Sequence, residues 1–517
     1  MMEEFPTGLV ANRSFHAEIL TFHDEANPTS GQRTLMTLMF WPVVIFMAIS
    51  LAIGLYTYTQ VRGSSKRYTV CEGSMPFILV GTALVAQAID GNATLGSASM
   101  TYGSGIWAGL AIPIGLALSL FIVGRFLAAP LNRMKLLTLP EFFYRRYGKA
   151  TELLVSILTM ISFTVVVAGN LSAVAWILAV VSGFEYLPSL LVVTLVIMLY
   201  TMAGGLYAAI WTDFLQIHVA IAGFVLAAGW LLATRGWEAI VAGIPTKFLD
   251  TSGIATLEGG GLVNWSFIIA LAFGNAMALD FMERVFAAKS PEVAQRSCYY
   301  AGALTVLVGL CGSILGIAAI STVSNAADPR MVLPTLAANS LPYWIGVLVF
   351  TGIVGASMST ANGAMLVISV VMARSVLQRW RGTTISDKKM LLLSRLLAIP
   401  TAAIAAWVAY VRPEPGVLLV VAFDIVFAGC VVPLFLGVYW QRANAAGAIS
   451  SIAVGTSARI ACHFLVPPPL MGLETLVPPV LSGLTFVAVC LLTEPGVARE
   501  ARVIEAPDQL VSEGTEG

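Results

Sequence analysis

Residues 80–105 read VGTALVAQAIDGNATLGSASMTYGSG. The run begins as an apolar helix. Asp90, Gly91, Asn92 and Gly96 then fall in its middle. Gly and Asn weaken a helix, and an Asp at membrane depth is costly. Non-helical backbone at that depth is tolerated only where it is buried in protein or lines a cavity. There the freed carbonyls become ion ligands. Residues 267–285, FIIALAFGNAMALDFMERV, show the same interruption at Gly274, Asn275 and Asp280. The two stretches are five hydrophobic blocks apart. That spacing predicts an inverted repeat of five plus five helices whose first members are both broken.

The rest of the chain places these two stretches in a membrane. Hydrophobic residues make up 58% of the 517 and charged residues 11%, with mean hydropathy +0.86. A soluble domain carries about 25% charged residues, so these charges are too few for a water-facing surface. Blocks of about 20 apolar residues span a bilayer. Hydropathy puts spans at 35–60, 75–104, 106–128, 150–181, 186–203, 206–233, 264–287, 298–323, 341–375, 391–411, 414–440, 445–465 and 474–493. The fold class is an all-α integral membrane protein of about 13 transmembrane helices, with spans 2–6 and 7–11 as the two repeats. Most Lys and Arg, such as Arg133, Lys135, Arg145, Arg146, Arg374, Arg379, Lys388 and Lys389, fall in loops that are cytoplasmic if the N-terminus is outside. The positive-inside rule therefore gives N-out and C-in. Residues 1–34 read as a polar extracellular tail, 35–493 as the transmembrane domain and 494–517 as an acidic cytoplasmic tail.

Composition also excludes several classes. Lys plus Arg equals Asp plus Glu, so the charge balance shows no nucleic-acid footprint. No G-x4-GK[ST] loop exists to hold ATP, which argues against a primary pump. The six cysteines form no CxxC pair, and with only four histidines no metal or nucleophile constellation suggests an enzyme. Asn12-Arg13-Ser14 fits a glycosylation triplet, a motif common by chance.

Residues 204–216, GGLYAAIWTDFLQ, closely resemble the GG-x5-WTD-x2-Q signature of the sodium:solute symporter family, which includes bacterial proline, galactose and sialic acid symporters. TLPEFFYRRYG (138–148), RVFAAKS (284–290) and Trp440-Gln441-Arg442-Ala443-Asn444 followed by Gly447 and Ala448 resemble other segments of that family, in order. The resemblance covers roughly residues 35–465 and implies a LeuT-like fold, a membrane carrier and sodium as coupling ion. Gly96, Tyr102 and Gly105 match the family's spacing, and this register implies sodium ligands at the Ala86 and Ile89 carbonyls. Gly355-Ala356-Ser357-Met358-Ser359-Thr360 resembles the family's ninth-span run and implies the Ala356 carbonyl and the Ser359 and Thr360 hydroxyls. Five neutral oxygens suit a hard cation that must also be released. The competing fate for Ser359 and Thr360 is a back-bond to a carbonyl one turn earlier. A second sodium, found in some members, would use Asp213 and residues one turn beyond. Asn362 and Gly363 stand there instead of serines, so a second-ion or gating role falls to Asp213 and Asn362, unless Asp213 pairs with a basic residue.

An ionisable residue inside a membrane marks a functional site by default. Asp90, Asn92, Asn275 and Asp424 are the substrate-binding candidates. A carboxylate at the unwound turn suits a small polar solute with an ammonium group, such as an amine or amino acid. The alternatives are that Asp90 assists sodium or caps the turn, that Asp280 pairs with Arg284 at i, i+4, and that Asp424 pairs with another helix. His218 reads as a packed helix histidine, and Arg459 as a residue that pairs with a carboxylate or snorkels. The functional expectation is a sodium-coupled symporter importing such a solute by alternating access, in a cell membrane of the bacterial inner-membrane type. A proton-coupled carrier or a transporter-like sensor of the same fold is the alternative.

Overall fold

The computed structural model describes residues 30–57, 64–257, 259–323, 329–382 and 385–493. Most of the expected N-terminal tail, the C-terminal tail and the Asn12 triplet lie outside them. The helices that build the bundle run α1 Ser30–Thr57, α2 Phe77–Ala88, α3 Gly91–Ser104, α4 Ile106–Ile122, α5 Lys149–Ser182, α6 Tyr186–Arg235, α7 Gly261–Gly274, α8 Leu279–Ala287, α9 Pro291–Thr322, α10 Tyr343–Val371, α11 Asp387–Val411, α12 Pro415–Gly429, α13 Val431–Tyr439, α14 Ala445–Leu465 and α15 Leu473–Leu492.

Among the described residues nine helices are long and apolar enough to cross a membrane, or twelve if each bent pair is one span. The shorter apolar segment Tyr186–Leu199 adds the remaining predicted span. It joins the next one in the single helix α6, which kinks at Gly205, where φ is 60° and ψ −152°. That left-handed conformation favours glycine. A Cβ at Gly205 would also lie 2.4 Å from the Tyr68 ring.

Both predicted interruptions are present. α2 and α3 meet at 41°, and α7 and α8 at 50°. The eleventh span is also bent by 50°, between α12 and α13, where the hydropathy pattern predicts one unbroken helix. Pro433 accounts for the difference. It has no N–H to bond the Gly429 carbonyl four residues earlier.

α10 is buried over most of its length, and α6 packs against it more extensively than any other helix. Large apolar side chains such as Leu195, Trp407 and Leu484 point outward, as hydrocarbon contact requires. At one end of the bundle the start of the first broken span and the end of the second are joined. Met75, just before α2, pairs with Ala288 in a short parallel β-bridge, with Met75 N to Ala287 O at 2.9 Å and Lys289 N to Met75 O at 3.0 Å. Asn132 donates its amide to the Val285 and Ala288 carbonyls at 2.7 and 3.0 Å.

Candidate functional site

The break in the second span is built by its own residues. Ile89 ends α2 with φ −112° and ψ 52°, and Asp90 follows in extended geometry. The Asp90 carboxylate then caps α3 by accepting from Ala93 N at 2.8 Å. An Asp at an N-cap satisfies one of the helix's four free N–H groups and complements its dipole. Asp90 thus caps the turn with Oδ1, while Oδ2 faces the side-chain amides of Asn92 and Asn170. Gly91 is required at this turn: a Cβ there would meet Ser357 Oγ at 2.1 Å and Ala173 Cβ at 2.6 Å.

This turn packs directly on α10. The Thr360 hydroxyl lies 3.4 Å from the Ala86 carbonyl, and the Gln87 amide lies 2.8 Å from Ser359 Oγ. Neither hydroxyl is spent on a back-bond to its own helix. Ala356, one turn before Thr360, and Ile89 are buried nearby in sequence register. The structure thus brings together two of the predicted sodium ligands by contact, Ala86 and Thr360, with Ser359 joined through Gln87.

Beside them is a wholly buried ion pair. Asp213 from α6 accepts from Arg284 Nη2 of α8 at 2.8 Å, and both side chains have 0% exposure. The second Asp213 oxygen accepts from the Ser359 hydroxyl. Arg284 Nη1 donates to the Asp280 carbonyl at 3.0 Å. The Gln87 amide fits best with its oxygen toward Arg284 Nη2, 2.7 Å away, and its nitrogen toward Asp280 Oδ2, 2.8 Å away. That orientation follows from the network. The Asp280–Arg284 side-chain pair expected from i, i+4 spacing is not formed, because the Arg284 charge is turned onto Asp213. Asn362 makes no hydrogen bond through either amide atom and does not reach Asp213.

The substrate candidates separate into two groups. Asp90, 2% exposed, accepts from Asn170 Nδ2 at 2.7 Å and from Asn92 Nδ2 at 3.2 Å, and forms no ion pair. The Asn92 and Asn170 amide oxygens have no partner. Asn275, in the second broken span, donates to Ser119 Oγ at 2.7 Å and leaves its own oxygen unpaired. Asp424 is different. Arg459 and Thr475 both donate to its Oδ2, so it ties α12 to the peripheral helices α14 and α15 and already has a cation. That is the pairing with another helix weighed for Asp424 and the carboxylate partner expected for Arg459. His218 is likewise not packed inward: it lies on an exposed face, with Nδ1 2.6 Å from the Phe214 carbonyl.

The sequence reading did not single out Gln87, Asn170 or the buried Glu283, and it left open which basic residue pairs with Asp213. Glu283 is fully buried and neither carboxylate oxygen has a hydrogen-bond partner. A lone polar residue inside an apolar block was the available signal for Gln87 and Asn170.

The profile of the sodium:solute symporter family matches residues 68–455. The chain belongs to the sodium:solute symporter family. This symporter is 25% identical over 471 residues to the sodium/glucose cotransporter of Vibrio parahaemolyticus, covering 79% of this chain and 82% of that one. It is 24% identical to the human high affinity choline transporter 1 (81% and 75% covered) and 23% identical to the Haemophilus influenzae sodium/pantothenate symporter (84% and 94%). Its backbone is similar to that of a Na+-coupled sialic acid symporter solved in a substrate-bound outward-open state. The TM-score is 0.72 at 18% identity, over 88% of this chain and 98% of that one. The nucleobase-cation symporter Mhp1 gives 0.52 at 15% identity, over 85% and 98%. The LeuT-like fold of this symporter follows, as does its class: a multi-pass membrane transporter and not an enzyme.

Proposed function

We propose that this symporter imports a small polar organic solute, driven by sodium bound between the broken second span and α10, in a bacterial inner membrane. One observation carries the reading: the unwound turn is held against Ser359 and Thr360, with the Thr360 hydroxyl 3.4 Å from the Ala86 carbonyl. The carbonyls of Ala86, Ile89 and Ala356 and the hydroxyls of Ser359 and Thr360 would supply the ion's oxygens. These are the donors a hard cation selects. Each ligand set is split between two elements, so binding joins them and release parts them.

The solute sits beside the ion at the break, with Asp90, Asn92 and Asn275 as its polar contacts. Asp90 supports a positively charged group on the solute. It is a buried carboxylate met only by neutral donors, and a buried charge is retained where a partner compensates it. One charge crossing 100 mV is worth about 2.3 kcal/mol. At about 1.4 kcal/mol per factor of ten, one sodium supports roughly a fifty-fold solute gradient from voltage alone.

The test is a thermal-shift screen of purified protein against amines, amino acids, sugars and carboxylates, followed by uptake into proteoliposomes. Hits should be stabilising in NaCl and silent in KCl. Uptake indifferent to sodium and dependent on pH would replace this reading with a proton-coupled carrier.

A further inference from the structure

Asp213, Ser359, Gln87 and the Asp280 carbonyl form a second oxygen-rich nest that shares Ser359 with the sodium ligands. Its centre is filled by a side chain. The Arg284 guanidinium touches Asp213 Oδ2 at 2.8 Å, the Asp280 carbonyl at 3.0 Å and the Gln87 amide oxygen at 2.7 Å. Arginine does not lose its proton in proteins, so this cation is permanent. Gly363 makes room for it. A Cβ at that position would lie 3.2 Å from both Nη1 and Nη2, closer than ordinary van der Waals contact. The two positions where serine hydroxyls would complete an ion site are Asn362, whose amide turns to no partner, and Gly363, which has no side chain. A second sodium therefore does not fit these residues: the carboxylate it would need already holds one guanidinium and one hydroxyl.

We infer that Arg284 is a tethered cation occupying the second cation position at Asp213, so that this carrier binds and moves a single sodium ion per cycle. The inference rests on the reading that sodium sits at Ala86, Ser359 and Thr360. A tethered charge differs from a transported one in a measurable way. It moves only as far as α8 moves, so it adds nothing to the ion stoichiometry, and the sodium dependence has unit slope. Ser359 connects the two positions. It donates its proton to Asp213, and its oxygen, with the Gln87 amide 2.8 Å away on one side, is the atom offered to the ion. Arg284 is thus a positioning residue for the sodium site: the charge that orients Asp213 orients Ser359 in turn.

The experiment uses the full chain in detergent and radiolabelled sodium as the probe, with KCl holding ionic strength constant. The expected result is one sodium per chain with a Hill slope of 1. The double variant Arg284→Met with Gly363→Ser should bind a second ion, raise the slope toward 2, and lose the gain when Asp213→Asn is added. Arg284→Lys should keep one ion, as a conservative cation. Two sodium ions per wild-type chain would overturn the inference and leave sodium coupling intact. No bound sodium would overturn both. Should the double variant fail to fold, the wild-type stoichiometry alone decides.

Discussion

Removing either partner of the Asp213–Arg284 pair should be among the most damaging single changes in the protein. Arg284→Met keeps most of the volume and removes the charge. At 2.8 Å and an effective dielectric near 20, the attraction lost is about 6 kcal/mol, much of it offset by the desolvation of both groups. What remains is the cost of a lone carboxylate with no exposure to water, about 3–5 kcal/mol when one partner of a buried pair is removed. An exposed pair would cost about 1 kcal/mol or less. The assay is reversible unfolding in mixed detergent micelles, followed by the fluorescence of the 11 tryptophans. Arg284→Met and Asp213→Asn should each cost about 3–5 kcal/mol, and the double variant clearly less than their sum, because neutral groups then face each other. Single costs near 1 kcal/mol, or strict additivity, would refute the placement of this pair in a dry interior.

Thr360→Val, which keeps shape and removes the hydroxyl, should lower sodium affinity about tenfold, or about 1.4 kcal/mol, read as a displaced NaCl midpoint in thermal shift; an unchanged midpoint removes Thr360 from the ion. Ser359→Ala should do more, because it also strips a donor from Asp213; an effect smaller than that of Thr360→Val would contradict the shared network. Asp90→Asn should leave the fold intact, since Asn caps helices about as well as Asp, while uptake of a cationic solute falls at least tenfold. Equal uptake by wild type and variant would exclude a charge contact. Gly91→Ala should destabilise by about 1–3 kcal/mol through overpacking, because its Cβ would fall 2.1 Å from Ser357 Oγ; wild-type unfolding midpoints would show that the turn relaxes freely.

The elements legible in the sequence were those written in short-range chemistry. Apolar blocks gave the spans, and Asp90-Gly91-Asn92 and Gly274-Asn275 gave both breaks. Whether Ser359 and Thr360 face the break depends on the rotation of α10, which the resemblance implied and the contacts with Gln87 and Ala86 bear out. That Asp213, Asp424 and Arg459 would pair across segments was legible as an alternative, but which residues pair was not. Arg284 has a carboxylate four residues away, and local spacing pointed to Asp280. The fold offers Asp213, 71 residues distant, with better geometry. Asp424 looked like a pocket residue because an intramembrane carboxylate suggests function, yet Arg459, 35 residues on, neutralises it. The bend at Pro433 could have been read from the missing donor, but the unbroken apolar run around it concealed the break.

The small patch of β-structure at Met75 and Ala288 restricts how this end of the bundle can open. Backbone stitches join the inner stubs of both discontinuous spans, and Asn132 fastens the end of the third span to the same knot. These three segments must travel together as one lever. Against α6 and α10 the lever is held near the break by side-chain contacts: Arg284 on Asp213, Gln87 on Ser359, Thr360 on the Ala86 carbonyl. Side-chain contacts of this kind can be broken and remade without unravelling a backbone ladder.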